Sequence, residues 1–178
     1  TGRTATTMTQ ATSQLPRDLN LLLRLRKRLE AETTAELRFD QVTRAIYASE
    51  ASNYRQVPLG VVIPRTMADL ETTVRACGEL GVAMVPRGAG TSMSGQSVNA
   101  AICIDHSKYL HAVESIDSEA RIGRVQPGVI CDQLKQAAAD HGLTFGPDPA
   151  THSRCTLGGM IGNNSCGAHS VMAGKTVE

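Results

Sequence analysis

The chain has 178 residues, a net charge of +1, 41% hydrophobic residues and only 3% aromatic ones, with no Trp. That suffices for one domain whose core is built from Ala, Val, Ile and Leu. The near-neutral charge excludes a general attraction to nucleic acid or to an anionic membrane surface. No apolar run reaches the length of a transmembrane helix, and no basic-then-apolar secretory leader opens the sequence.

Residues 1–14, TGRTATTMTQATSQ, are polar, Thr-rich and without periodicity, so they read as a disordered leader. The next stretch, PRDLNLLLRLRKRLEAE, opens on Pro16 and spaces Leu19, Leu22, Leu23, Leu25 and Leu29 among charges. That predicts an amphipathic helix with a solvated basic face. ELRFDQVTRAIYASEASNYRQVP is mixed and turn-rich, and the whole of 15–58 is taken as an N-terminal helical segment.

From residue 59 the pattern becomes regular. GVVIP is a short buried strand ended by Pro64. TMADLETTVRACGELG follows, with Leu70, Val74, Cys77 and Leu80 at helical spacing, Thr66 as N-cap and Gly81 as stop. VAMVP is the next strand. The three form a βαβ unit, which implies parallel pairing and a right-handed crossover. Cys77 lies on the apolar stripe and is expected in the core. The five scattered cysteines read as reduced thiols of a cytoplasmic protein.

PRGAGTSMSGQS, residues 86–97, then sits at the carboxyl end of a parallel strand, where α/β folds bind ligands. Gly88, Gly90 and Gly95 can take positive φ and let another group approach the backbone. Thr91, Ser92, Ser94 and Ser97 add hydroxyls. Successive amides in such a turn form an anion-binding concavity, for which phosphate is the natural guest. The stretch is not a P-loop, because no Lys is present. Nor is it a Rossmann fingerprint, because the third Gly is missing and the following SVNAAICID is strand-like rather than helical.

GRVQPGVICDQLKQAAADHGLTF reads as strand, turn at Pro127-Gly128, helix and a Gly142 stop. A second small-residue stretch follows, GPDPATHSRCTLGGMIGNNSCGAHS, residues 146–170. It reads as a second loop, and two such loops suggest one extended ligand with two polar regions. A rival reading takes His152, Cys155, Cys166 and His169 as zinc ligands, in an H-x2-C, C-x2-H arrangement. A third reading is a non-catalytic nucleotide-binding module.

VVIPRTMADLETTVRAC, VPRGAGTSMSGQ, VQPGV and GPDPATHSRCTLGGMIGNNSCG, in this order and spacing, resemble the FAD-binding domain of the vanillyl-alcohol oxidase and p-cresol methylhydroxylase superfamily. The nearest branch is that of the FAD-linked oxidases, of the D-lactate dehydrogenase and glycolate oxidase FAD-subunit type. The resemblance implies an α+β, PCMH-type FAD-binding domain over 59–178. It would comprise an N-terminal parallel βαβ subdomain and the start of a second α+β subdomain, truncated at Glu178. It implies FAD as cofactor and a small 2-hydroxy acid such as D-lactate, glycolate or D-2-hydroxyglutarate as substrate. An iron–sulfur region is one candidate electron acceptor, and the location is cytoplasmic, with peripheral membrane attachment left open.

By the same resemblance, Pro86, Arg87, Gly88, Ala89, Gly90, Thr91 and Ser92 would cradle the pyrophosphate, continued by Gly95 and Gln96. Pro127 and Gly128 would shape the adenine side. Pro147 and Asp148 would lie near the flavin. Thr156, Gly158, Gly159, Gly162, Asn163 and Gly167 would line the cofactor. Covalent-flavin members carry His where this chain has Thr91, so FAD is expected to be non-covalent. Relatives often have Tyr-Gly where this chain has Ala173-Gly174. No catalytic acid–base residue is identified, and no metal ligand is expected. Leu157, Met160, Ile161, Val171 and Met172 are expected to be exposed for want of a partner layer, and the chain alone is expected to bind FAD weakly or not at all.

Overall fold

The computed structural model describes residues 8–177, with side chains from Leu19 onward. Helix α1 runs Met8–Glu32 and therefore begins before the predicted start at Pro16, taking in half of the expected leader. Residues 1–7 of that leader lie outside the described residues. The turn-rich segment that follows holds strand β1 (Glu36–Arg38) and helix α2 (Gln41–Ile46), whose first turn is capped by the Asp40 carboxylate accepting from Thr43 N at 2.8 Å.

Strand β2 (Gly60–Ile63), helix α3 (Met67–Leu80) and strand β3 (Met84–Arg87) form as predicted. Thr66 caps α3 by accepting from Asp69 N at 3.1 Å, and Gly81 ends it at φ +68°. The Asp69 carboxylate also accepts from Thr34 N at 2.8 Å and Thr34 Oγ1 at 2.9 Å, which ties the end of α1 to the start of α3.

Strand β4 (Ile102–Asp105) changes the topology from the one expected. The sheet order is β1-β2-β4-β3, with β4 parallel to both neighbours and β1 antiparallel to β2. The βαβ strands are parallel, but they do not pair directly, because β4 is inserted between them. Alternation along the strands divides the core. Val62, Ile102 and Ile104 pack with Leu25, Leu29, Ala76 and Cys77 on the helical side, so α1 shares a core with the strands. Val61, Ile63, Val85 and Cys103 pack on the other side with Tyr47 and Tyr109.

β3 and β4 are adjacent and parallel, yet residues 88–101 between them contain no helix. A parallel pair needs a crossover of a dozen or more residues, normally helical. Here the Gly-rich stretch is that crossover.

The second half holds an antiparallel hairpin, β5 (Val113–Asp117) and β6 (Ile122–Val125), then helix α4 (Cys131–Ala139). Two short helices follow, α5 (Leu157–Asn163) and α6 (Ser170–Ala173). Part of the second Gly-rich stretch is thus a helix and not a loop. The reason is packing: Leu157 and Met160 are buried with Val129, Cys131 and Cys155, against the expectation of exposure. Ile161, Val171 and Met172 are exposed, at 59%, 97% and 84%.

Candidate functional site

The carboxyl ends of β3 and β4, the crossover loop, the Pro127 turn and α5 enclose a cleft of about 510 Å³. Its two halves touch. A Cβ added at Gly88 would lie 2.0 Å from Thr156 Oγ1, the N-cap hydroxyl of α5. Gly88 is needed for that approach and does not have the positive φ expected of it. Gly90 at φ +66° and Gly95 at φ +81° do occupy the left-handed region.

The loop is held from behind. Arg87 donates from Nη1 to Tyr47 O at 3.2 Å and from Nη2 to Ser49 O at 2.9 Å, and its guanidinium lies 5.3 Å from the Tyr47 ring centroid. Ala51 N donates to Gly90 O at 3.0 Å. Ser97 donates from N at 3.0 Å and from Oγ to Glu50 Oε2. Among the described residues, no amide from Gly88 to Met93 has a protein acceptor. The loop therefore borders the cleft with a run of amides that no protein acceptor occupies.

The opposite wall differs. At the start of α5 the amides are already used: Leu157 N donates to Val129 O at 2.8 Å, Gly158 N to Pro127 O at 2.9 Å, and Gly159 N to Thr156 Oγ1 at 3.3 Å. A Cβ at Gly158 would meet Pro127 at 2.9 Å, whereas nothing lies within 4 Å of one at Gly162. This wall offers flat backbone in place of free donors.

His106 borders the cleft, and an ionisable pair stands next to it in the chain and behind the loop. Tyr47 donates to Asp105 Oδ2 at 2.6 Å, and burial with this carboxylate pushes the phenol up. Asp105 also accepts from Ser107 N and Oγ, each at 2.7 Å. His106, next in the chain, borders the cleft, with a buried Nδ1 that has no partner. Burial lowers its pKa, against the opposing pull of Asp105, so the ring is neutral at pH 7.

Of the residues singled out in the sequence, Pro86 to Ser92, Gln96, Pro127, Thr156, Gly158, Gly159, Gly162 and Asn163 border this cleft. Gly95, Gly128, Pro147, Asp148 and Gly167 do not. Gly95 sets the loop's path against Tyr54, at 3.0 Å from a Cβ. Gly128 lets the chain pass the carbonyls of His106 and Leu110, 2.4 and 2.6 Å from a Cβ. Pro147 is buried, with its carbonyl 3.7 Å from Cys131 Sγ. Asp148 accepts from His169 N at 3.1 Å and pairs with His169 Nδ1, which holds its carboxyl below the usual range. A Cβ at Gly167 would lie 2.0 Å from Asp148 O. These last two fasten the C-terminal segment.

Sequence reasoning did not single out Met93, His106, Pro149 or Thr151, which also border the cleft, and it named Cys166, another bordering residue, only as a zinc ligand. Only His106 had a signal, a histidine directly after a buried strand. The zinc arrangement is not assembled: among the described residues no three of His, Cys, Asp and Glu come together as a ligand set. His152 pairs with Asp132 at 2.7 Å, His169 pairs with Asp148, and Cys155 is packed in the core. All five cysteines are free thiols.

Comparison with solved structures supports the fold. Alkyldihydroxyacetonephosphate synthase superposes with a TM-score of 0.75 at 21% identity, over 85% of this chain and 31% of that one. Physcomitrella patens BBE-like 1 (variant D396N) gives 0.70 at 21% identity, over 85% and 33%. Among curated proteins, the D-2-hydroxyglutarate dehydrogenase of Haemophilus influenzae is 38% identical over 132 residues, 72% of this chain and 13% of that protein. The glycolate oxidase subunit GlcD of Escherichia coli is 35% identical over 129 residues, 71% of this chain and 26% of that one. The mitochondrial D-lactate dehydrogenase [cytochrome] of Kluyveromyces lactis is 27% identical over 150 residues, 82% and 26%. The chain thus spans about an eighth to a quarter of the length of these relatives. Residues 58–178 match the family described as FAD binding domain. With the α+β fold, the two Gly-rich walls and this match in place, the chain belongs to the FAD-binding domain family of the FAD-linked oxidases.

Proposed function

We propose that this chain is the part of a flavin-dependent oxidoreductase that holds FAD non-covalently, in service of oxidising a small 2-hydroxy acid. The observation that carries the cofactor reading is the run of donors from Gly88 to Met93, free of protein acceptors and facing a cleft. That donor set suits a pyrophosphate, which needs several amides and little else from the protein. The hydroxyl of Thr91 adds to it, while that of Ser92 donates to Gln96 Oε1 within the loop. Arg87 acts from behind, since its guanidinium is engaged by backbone carbonyls.

The remaining residues take different parts. Gly159, Gly162 and Asn163 form the flat wall along which the cofactor lies, and Thr156 fixes that wall against the loop. Pro127 shapes one end of the cleft, and Gly128 behind it lets the chain pass the carbonyls of His106 and Leu110. Pro147, Asp148 and Gly167 act by fastening the C-terminal segment beside it. FAD, when bound, would supply the two-electron oxidant for the alcohol carbon, the hydroxyl proton leaving to a base or solvent. The substrate reading rests on the relatives, whose names give D-2-hydroxyglutarate, glycolate and D-lactate. Onward transfer to an iron–sulfur region, and any peripheral attachment to a membrane, belong to the same proposal.

Titration of the chain with FAD, read by flavin fluorescence, tests the cofactor part. Saturable binding that Gly90→Val abolishes is the expected result. Binding of AMP with no response to FAD would favour a non-catalytic nucleotide module. Turnover of the three hydroxy acids by the full-length protein carrying this chain tests the substrate part. Absence of flavin reduction by all three would remove it.

A further inference from the structure

Residues 47–55 lie outside the matched region, yet they carry most of the contacts that fix the Gly-rich loop. The near end of the loop is held by Arg87 on the carbonyls of Tyr47 and Ser49. The middle is held by Ala51 N on Gly90 O at 3.0 Å. The far end is held by Glu50, whose Oε2 accepts both the amide and the hydroxyl of Ser97. Tyr54 packs against Gly95, where the chain turns at φ +81°. An antiparallel bridge from Ser49 to Arg55 closes this segment on itself.

Glu50 is the unusual member. A carboxylate behind a loop that offers donors to an anion opposes that anion electrostatically, so its place there needs another reason. It does not border the cleft, and its Oε1 is buried with no partner at hydrogen-bond distance. It therefore cannot act on a ligand by contact. Its geometric effect is to anchor Ser97, ten residues beyond Arg87, so that the loop is fixed at both ends against one strap. Burial alone would raise its pKa, but the hydroxyls of Ser97 and Ser52 and the amides of Ser97 and Gly95 outweigh that and keep it ionised.

We infer that Glu50 is a positioning residue for the phosphate loop, clamping Ser97 so that the amides of 88–93 stay aimed into the cleft. A loop held in its binding geometry loses less freedom when the ligand arrives, which strengthens binding without a contact. The inference rests on the FAD reading for its ligand, and on the strap alone for its geometry.

The test uses Glu50→Ala and Glu50→Gln in the whole chain, with two readouts: FAD affinity by titration and backbone amide exchange without ligand. The expected result for Glu50→Ala is an FAD Kd raised about tenfold, the scale of one lost charge-assisted hydrogen bond. Exchange should quicken at Ala51 and Val98, whose amides donate to Gly90 O and Gly95 O and so report the loop's path, and stay unchanged in β2, β4 and α3. Glu50→Gln keeps an acceptor for Ser97 and should restore most of both. Unchanged exchange at these two amides in Glu50→Ala overturns the inference. So does a loss of protection spread through the sheet, which would make Glu50 a general fold residue. If the full-length protein carrying this chain does not bind FAD, the cofactor reading fails by itself, and the exchange pattern still decides for or against the clamp.

Discussion

Gly88 and Thr156 meet across the cleft so closely that a methyl group on the glycine would overlap the threonine hydroxyl, 2.0 Å from its Cβ position. Thr156 is 3% exposed and caps α5, so it cannot swing away without loss. Gly88→Ala should therefore cost about 1–3 kcal/mol of stability, the range for overpacking a core. Thr156→Ala alone should cost about 1 kcal/mol through the lost cap. The double variant should lose less than the sum, since removing the hydroxyl makes room for the methyl. Thermal unfolding of the four proteins measures this, and strict additivity would mean the two walls do not touch in solution.

Gly90 makes a different demand. Its φ of +66° and the Arg87 guanidinium 2.7 Å from its Cβ position exclude a side chain on two grounds. Gly90→Ala should cost about 1–2 kcal/mol from backbone strain alone. It should weaken FAD binding more than Gly78→Ala, which meets nothing within 4 Å at an exposed helix position. Equal FAD affinity in the two variants would place the phosphate elsewhere.

Thr91 stands where covalent members of the family carry the linking histidine, so flavin should be dissociable. Acid precipitation of the full-length protein should leave the yellow colour in the supernatant. Colour in the pellet would mean a covalent bond, and peptide mapping would then begin with Cys155 and Cys166, the two thiols bordering the cleft.

The thiols can also report occupancy. Cys166 is exposed at the cleft, while burial pushes Cys77 and Cys131 up to about 11 and Cys103 to about 12. At pH 8 iodoacetamide should modify Cys166 first, and FAD should slow it. Mass spectrometry of the labelled peptides reads both. Labelling of Cys166 that ignores FAD would put the cofactor away from the second Gly-rich stretch.

Glu36 supplies the acid-range prediction. Lys108, then Tyr109 and Arg38, hold its carboxyl down to about 2 from the usual 4.5. A carboxylate whose folded pKa is depressed stabilises the fold above its unfolded pKa, and that stability is lost as pH falls through the folded one. Glu36→Gln should therefore destabilise the chain at pH 7, by an amount that shrinks between pH 4.5 and 2. Unfolding midpoints of both proteins across that range check it. A gap that stays constant with pH would mean that charge is not the source.

Helix α3 was legible because its signals are local: Thr66 three residues before Asp69, a 3.6-residue stripe, and Gly81 at the stop. The strand order was not legible, because nothing in GVVIP or VAMVP says that ICID will lie between them. That choice is made by the shared core of Val62, Ile102 and Ile104 under α1 and α3. α5 was hidden for a related reason. LGGMIGN has the composition of a loop, and it becomes helical because Thr156 caps it and Leu157 and Met160 find Val129 and Cys131. The cleft followed the same division. The donor loop could be read from its glycines and His106 from its place after β4, but Glu50 enters the picture only through contacts distant in sequence.

The insertion of β4 between β2 and β3 also orders events during synthesis. On the ribosome, β2 and β3 emerge early and have no partner for each other. Before residue 105 is made, β1 can pair with β2 and α1 with α3, but the parallel pairs of the sheet cannot form. The parallel sheet then closes around its last-made strand, and the glycine-rich crossover is drawn tight in the same step. Such non-local closure is slow compared with helix pairing. Until it occurs, both edges of the future slot for β4 stand open, and this is the interval in which the nascent chain is most exposed to strand exchange with its neighbours.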